Sequence, residues 1–258
     1  MGRWTEFAPK GHFDFDRKTV KNHWLRLHAR DQEALPSDPD LLDAWAFFHN
    51  GHFHEARSVG LALGDSGATV ANKATCVYAR QMEPNETKRL AMYQWVSERA
   101  AQQTEREPDN PNAHFLLAYS LGRYSQGISV AKALAQGMGG RIKTALETTI
   151  ALQPLHADAH FALGAFHAEI IDKVGALIGG MAYGARKDAS LQLFDQGFKL
   201  QPHSTVGLVE YGLALVMLEG DDRQEEATSL YSQAAKLKPA DAQEYLDIAR
   251  AKAGLNVQ

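Results

Sequence analysis

The chain has 258 residues, 45% of them hydrophobic and 22% charged, which supplies material for a long core and argues against disorder. Its 27 Lys and Arg against 31 Asp and Glu give a net charge of −4, and no basic run interleaves with aromatics, which disfavours nucleic acid as a partner. The opening MGRWTEFAPKGHFDFD has no apolar core of signal-peptide length, and the longest apolar run, from Val174, falls short of the roughly 20 residues that span a bilayer. A cytoplasmic protein without membrane insertion is expected, and a lone cysteine, Cys76, agrees with a reducing compartment.

Residues 1–39 read as an extended lead and a helix marked by Trp24, Leu25 and Leu27, packing on the rest of the chain. Residues 40–258 read as one domain in which apolar residues recur at spacings of three and four: Leu41, Ala44, Trp45 and Phe48; Phe115, Leu116 and Tyr119; Phe161, Leu163, Phe166 and Ile170; Leu208, Tyr211, Leu215 and Leu218. Between these runs stand LPSDPD, GDSG, MEPNE, EPDNPN, LQPLHAD, LQPHS and LKPAD, each joining a helix stop to an Asp, Asn or Ser able to cap the next helix. The fold class is therefore all-α, a chain of helical hairpins.

The punctuation repeats. ALETTIALQPLHADAHFALGAFH and LFDQGFKLQPHSTVGLVEYGLAL share a helix ending in LQP, a turn, and a new helix with Gly among large apolar residues; LYSQAAKLKPADAQEYLDIARAK and TEREPDNPNAHFLLAYSLGR are looser copies. At these residues the chain resembles the tetratricopeptide repeat family, with its best unit at Tyr211, Gly212, Leu215, Gly220, Ala227, Tyr231, Ala234 and Pro239 and a degenerate one at Gly51, Phe53 and Ala56. The resemblance covers roughly residues 40 to 253. It implies a right-handed superhelical array of helical hairpins, closed by a C-terminal capping helix, whose first helices line a concave face. The same register is similar to the regulator of microtubule dynamics proteins and to T-component subunits of periplasmic-binding transporters; the latter likeness implies a hydrophobic ligand cavity.

Two neighbouring units are overlong: Pro108 and Pro154 lie 46 residues apart, Pro154 and Pro202 lie 48 apart, and Pro202 and Pro239 lie 37 apart, against a usual repeat of about 34. The extra chain falls between the first and second helix of each, as YSQGISVAKALAQGMGGRIK and IIDKVGALIGGMAYGARK. The second could be read as a phosphate loop, but Ala185 and Arg186 follow Gly184 where Lys and Ser or Thr are required. It could be a membrane GxxxG segment, but it is too short. Two readings remain open: small residues that let an extended hairpin pack on its neighbour, or paired insertions forming a lid over the concave face from Met138, Gly175, Gly179, Gly180, Met181, Tyr183, Gly184 and Arg186.

Carried over from the resemblance, the groove-lining places fall on Phe115, Leu116, Tyr119 and Arg123, on Phe161, Ala162, Ala165 and Glu169, and on Val209, Glu210, Leu213 and Met217. Such a mostly apolar strip suits an apolar helix, a peptide or a lipid-like ligand, unless tight winding or the N-terminal helix fills it. The Lys and Asn with which some tetratricopeptide proteins grip a chaperone's carboxylate tail are absent from these places. Of 11 histidines, His156 and His160 have the i, i+4 spacing of metal ligands but no third ligand, and His114 and His160 share one repeat position, so packing is expected; His49, His52 and His54 read as a solvated turn. Cys76 reads as a small buried residue, and the pairs Asp221 and Asp222, and Glu225 and Glu226, suit a helix start. GxSxG, GxGxxG, HExxH and CxxC do not occur. The expectation is a non-enzymatic interaction scaffold without cofactor or metal, holding an apolar peptide or helix in its groove; the alternative is a carrier of a small hydrophobic ligand.

Overall fold

The computed structural model describes residues 4–7, 9 and 12–255, and among these the regular structure is entirely helical. Most caps fall where the punctuation places them, but after GDSG the next helix starts at Gly67 with no side-chain cap. Asp16 opens α1 (Arg17–Asn22) with a reciprocal capping box to Thr19, and Asp38 with Pro39 opens α3 (Pro39–His49) after the short α2 (Trp24–Leu27). Asn85 accepts from the Lys88 amide to start α6 (Glu86–Arg106), Asn110 accepts from Asn112 and Ala113 to start α7 (Pro111–Gln126), and Ser204 accepts from Gly207 to start α13 (Thr205–Glu219). In LQPLHAD the cap is the imidazole of His156, which accepts from the Ala159 amide ahead of α10 (Ala157–Val174). Among the remaining helices, α4 (Phe53–Ala62) and α5 (Ala68–Gln81) lie early in the chain, α9 (Met138–Leu152) and α12 (Lys187–Leu200) flank α10 in the sequence, and α14 (Gln224–Ala235) and α15 (Ala242–Leu255) close it.

Each helix packs on its neighbours: α3 on α4, α4 on α5, α5 on α6, α6 on α7, α7 on α9, α9 on α10, α10 on α12 and α13, α13 on α14, and α14 on α15. Close approach depends on absent side chains. A Cβ at Gly197 of α12 or Gly207 of α13 would lie 2.4 or 2.6 Å from the ring of Phe161, so the two glycines make the slot that buries this α10 residue.

Both insertions are helical. The first forms α8 (Val130–Ala135), which packs on α9, and the second forms α11 (Ala176–Tyr183), which packs on α10 and α9. The glycines of the second have separate tasks. Gly175, at φ +82°, ends α10 and starts α11; Gly184, at φ +63°, is the left-handed C-cap of α11; Gly179 lets α11 lie against Ile170, whose Cγ2 is 2.9 Å from where a Cβ would stand.

The chain then closes on its own beginning. α15, expected as a terminal cap, packs on α13 and α14 and also on α5 and α3. The N-terminal segment is equally engaged: Trp4 stacks on Tyr78 with ring centroids 4.0 Å apart, the Thr5 amide donates to the Tyr78 hydroxyl at 2.9 Å, and Trp24 is buried against Trp45 and His28.

Candidate functional site

Inside this closed arrangement lies a cavity of about 470 Å³, within the usual range of roughly 300–1,000 Å³ for small-molecule sites. Most of its large apolar lining comes from α7 to α11, with Phe115, Leu116, Ile128, Leu134, Met138, Ile142, Leu146, Phe166, Ile170 and Tyr183 forming an apolar wall; Asp31, Lys73, Arg80, Glu210 and Asp247, from α5, α13, α15 and the chain before α3, form a charged floor, to which α7 and α10 add Arg123, Asp158, Glu169 and Lys173.

The floor is a set of buried charges that are paired in part, with Arg80 Nε and Nη1, Arg30 Nη1 and Asp247 Oδ2 left without a hydrogen-bond partner. Glu210 Oε1 accepts from Arg80 Nη2 at 2.8 Å and from Arg123 Nη2 at 2.7 Å, and the Arg123 guanidinium lies over the Tyr119 ring at 5.3 Å. Asp247 Oδ1 accepts from Gln81 Nε2 at 2.7 Å, while its Oδ2 lies 3.7 Å from Arg30 Nη1. Burial pushes the Asp247 carboxyl up to about 6, with Arg30 and Arg80 opposing the rise. Isolated, each such charge would cost several kcal/mol to desolvate, so the pairs hold the floor only as a complete set.

Residues 28–33 enter this interior. The Asn112 Nδ2 donates to Asp31 O at 3.1 Å and to Glu33 Oε2 at 2.6 Å, the Asp158 amide donates to Arg30 O, and Gln201 Nε2 donates to Ala29 O. The same Asn112 accepts through Oδ1 from His156 Nε2 at 3.1 Å, which with the cap at Nδ1 fixes a neutral tautomer. Burial drives His156 down to about 4 and Glu33 up to about 8.

Beside the floor runs a buried chain of four side chains. Asp31 Oδ1 faces His28 Nδ1 at 3.0 Å, His28 Nε2 faces His49 Nε2 at 3.2 Å, and His49 Nδ1 faces Asp241 Oδ2 at 2.7 Å. Each ionised carboxylate accepts from the Nδ1 it faces, which sets the two Nε2 atoms against each other at the middle of the chain. Burial would raise the Asp31 carboxyl, but Lys73 and His28 hold it well below the usual range; burial also pushes His28 down to about 4. Lys73 pairs with the other Asp31 oxygen and reaches the cavity. His49, expected on a solvated turn, is instead the last residue of α3 and 1% exposed, because the start of α15 covers it.

The wall joins the two insertions. A Cβ at Gly139 would stand 2.6 Å from Tyr183 Cε1, so the second insertion's aromatic ring lies directly on the first insertion's glycine. Of the expected lid residues, Met138 and Tyr183 line the cavity; Gly175, Met181, Gly184 and Arg186 are exposed, and Gly179 packs on Ile170. Of the groove residues, Phe115, Leu116, Tyr119, Arg123, Phe161, Ala162, Ala165, Glu169, Glu210, Leu213 and Met217 line the cavity. Val209 does not; it is buried in the cluster of Leu208, Ala234 and Ala251. Asp31, Lys73, Arg80 and Asp247 escape the reading from sequence. Lys73 and Arg80 do carry a signal there: they stand seven residues apart, on one face of an otherwise uncharged helix.

The other histidines are structural. His160 is buried with Nδ1 on His156 O, His114 meets Pro108 O through Nε2, and His52 and His54 are exposed. Cys76 is buried, which raises its thiol far above the usual range. Among the described residues no three His, Cys, Asp or Glu are placed to hold a metal ion, and no helix is long and apolar enough to cross a membrane. No protein-family model matches the chain, and no curated protein matches it.

Proposed function

We propose that this protein is a non-enzymatic carrier of a small, mainly apolar molecule with a polar end, built as a tetratricopeptide-like, right-handed superhelical array with two overlong units and working in the cytoplasm. The observation that carries the reading is the cavity itself: an apolar wall from α7 to α11 set against a charged floor from α5, α13 and α15. An apolar body gains from leaving water against the wall, while a polar end meets donors and acceptors at the floor. The floor's charges are committed to one another, Glu210 to two guanidiniums and Asp31 to His28 and Lys73, which suits a fixed polar lining better than a reacting group.

A scaffold gripping an apolar peptide is less well supported, because residues 28–33 hydrogen-bond to Asn112, Asp158 and Gln201 and α15 packs on α3 and α5, which leaves less of the interior open to a peptide. Titration with the neutral fluorophore N-phenyl-naphthylamine tests the carrier reading. Saturable, single-site enhancement is expected, weakened at least tenfold by Ala165→Trp or Leu213→Trp, which fill the cavity from α10 and α13. No enhancement, or equal enhancement in both variants, would count against it.

A further inference from the structure

The two insertions carry an unusual surface. On α11, whose sequence ALIGGMAY has no charge, Leu177 is 78% exposed, Ile178 60% and Met181 83%. On α8, Val130 is 41% and Leu134 45% exposed, and both also line the cavity, so the exposed apolar surface continues inward into the apolar wall. Scattered apolar residues on a surface need no explanation, but three large ones on a single two-turn helix do.

Within the two insertions the charges have one sign, and the acids stand at their edges. Residues 127–143 contain Lys132, Arg141 and Lys143 and no Asp or Glu; residues 173–187 contain Lys173, Arg186 and Lys187 and again no Asp or Glu, in a chain whose net charge is −4. Four of the six meet acids just outside these segments: Lys143 with Glu147, Lys173 with Glu169, Arg186 with Asp188 and Lys187 with Glu219. Asp172 is a further acid beside Lys173. Only the Arg186 pair is exposed at both members, the other three being half-buried at one, and surface pairs of this kind contribute little. Lysine and arginine stems at the ends of a short apolar helix can lie along a hydrocarbon boundary with the charged heads at phosphate level.

From this we infer that α8 and α11 form a docking face for an anionic phospholipid bilayer, with Leu177, Ile178 and Met181 set into the interface and the flanking cations against lipid phosphates. The attachment is peripheral. It goes beyond the carrier reading and does not require the cavity to be filled, although the continuity of α8 with the wall gives an apolar molecule a path from bilayer to cavity.

Flotation with vesicles of phosphatidylcholine, with and without phosphatidylglycerol, tests the inference on the full chain. The wild type is expected to float with the anionic vesicles, less at high salt, and the double variant Leu177→Asp, Met181→Asp to lose at least tenfold in apparent affinity. Because these side chains are exposed, the variant should keep its thermal midpoint. Leu25→Asp, at an 88% exposed site on α2 outside the insertions, should float like the wild type. Absence of flotation by the wild type, or equal flotation by the double variant, would overturn the proposal. So would concentration-dependent dimerisation that the double variant abolishes without any vesicle binding, since the face would then be a contact between copies.

Discussion

The wall and the floor of the cavity differ in how the chain makes them. The wall comes mostly from one continuous stretch, α7 to α11, whose contacts are mainly between neighbouring helices; the floor joins Arg80 to Glu210 across 130 residues and Gln81 to Asp247 across 166, and the chain beside it joins His49 to Asp241 across 192. Apolar packing between adjacent helices tolerates exchange of one hydrophobe for another, whereas a buried charge deprived of its partner has no substitute. The floor should therefore fail sharply and the wall gradually.

The largest effect is expected from Asp241→Ala. It removes the carboxylate facing His49 and the side chain that accepts from the Glu244 amide at the start of α15, and it should cost about 3–5 kcal/mol in denaturant unfolding. A cost below about 1 kcal/mol would mean that the closure of α15 onto α3 contributes little.

His156→Asn sharpens the comparison through pH. Burial brings the folded His156 down to about 4 against 6.5 in the unfolded chain, so its contribution to stability is lost as pH falls from 6.5 to 4 and is fully present above. The variant, with Asn as a cap, should lack that loss, a difference of roughly 3 kcal/mol at pH 4. Glu33 has the opposite sign: its carboxyl, raised to about 8, loses stability as pH rises from 4.5, so the two slopes must be separated by comparing variants.

The wall should give the smallest change. Gly139→Val forces Tyr183 away from the first insertion, and overpacking of this kind costs about 1–3 kcal/mol, with local loosening of α11 visible in hydrogen exchange. A loss as large as that from Asp241→Ala would erase the distinction between the two regions.

The same contrast explains what can be read from sequence. Helix boundaries are legible because Asp38, Asn85, Asn110 and Ser204 cap locally, within three residues of the groups they satisfy. The long intervals from Pro108 to Pro154 and from Pro154 to Pro202 are where α8 and α11 stand, and the groove positions other than Val209 lie along the cavity. Val209 differs because α13 turns that position toward α14 and α15. Asp31 and Asp247 are not legible, since Asp31 meets Lys73 across 42 residues and Asp247 meets Gln81 across 166, contacts that only the packed helices bring about. His49 escapes for the same reason: HNGHFH resembles a polar turn until the start of α15 buries its first residue.

Native mass spectrometry of protein purified gently from its own cells, wild type beside Ala165→Trp, tests the central claim most directly. The carrier account predicts a stoichiometric small-molecule adduct on the wild type, released by collisional activation, and its absence from the variant. A wild type without any adduct that also fails to take up added apolar ligand, or an adduct held equally by the cavity-filled variant, would contradict it.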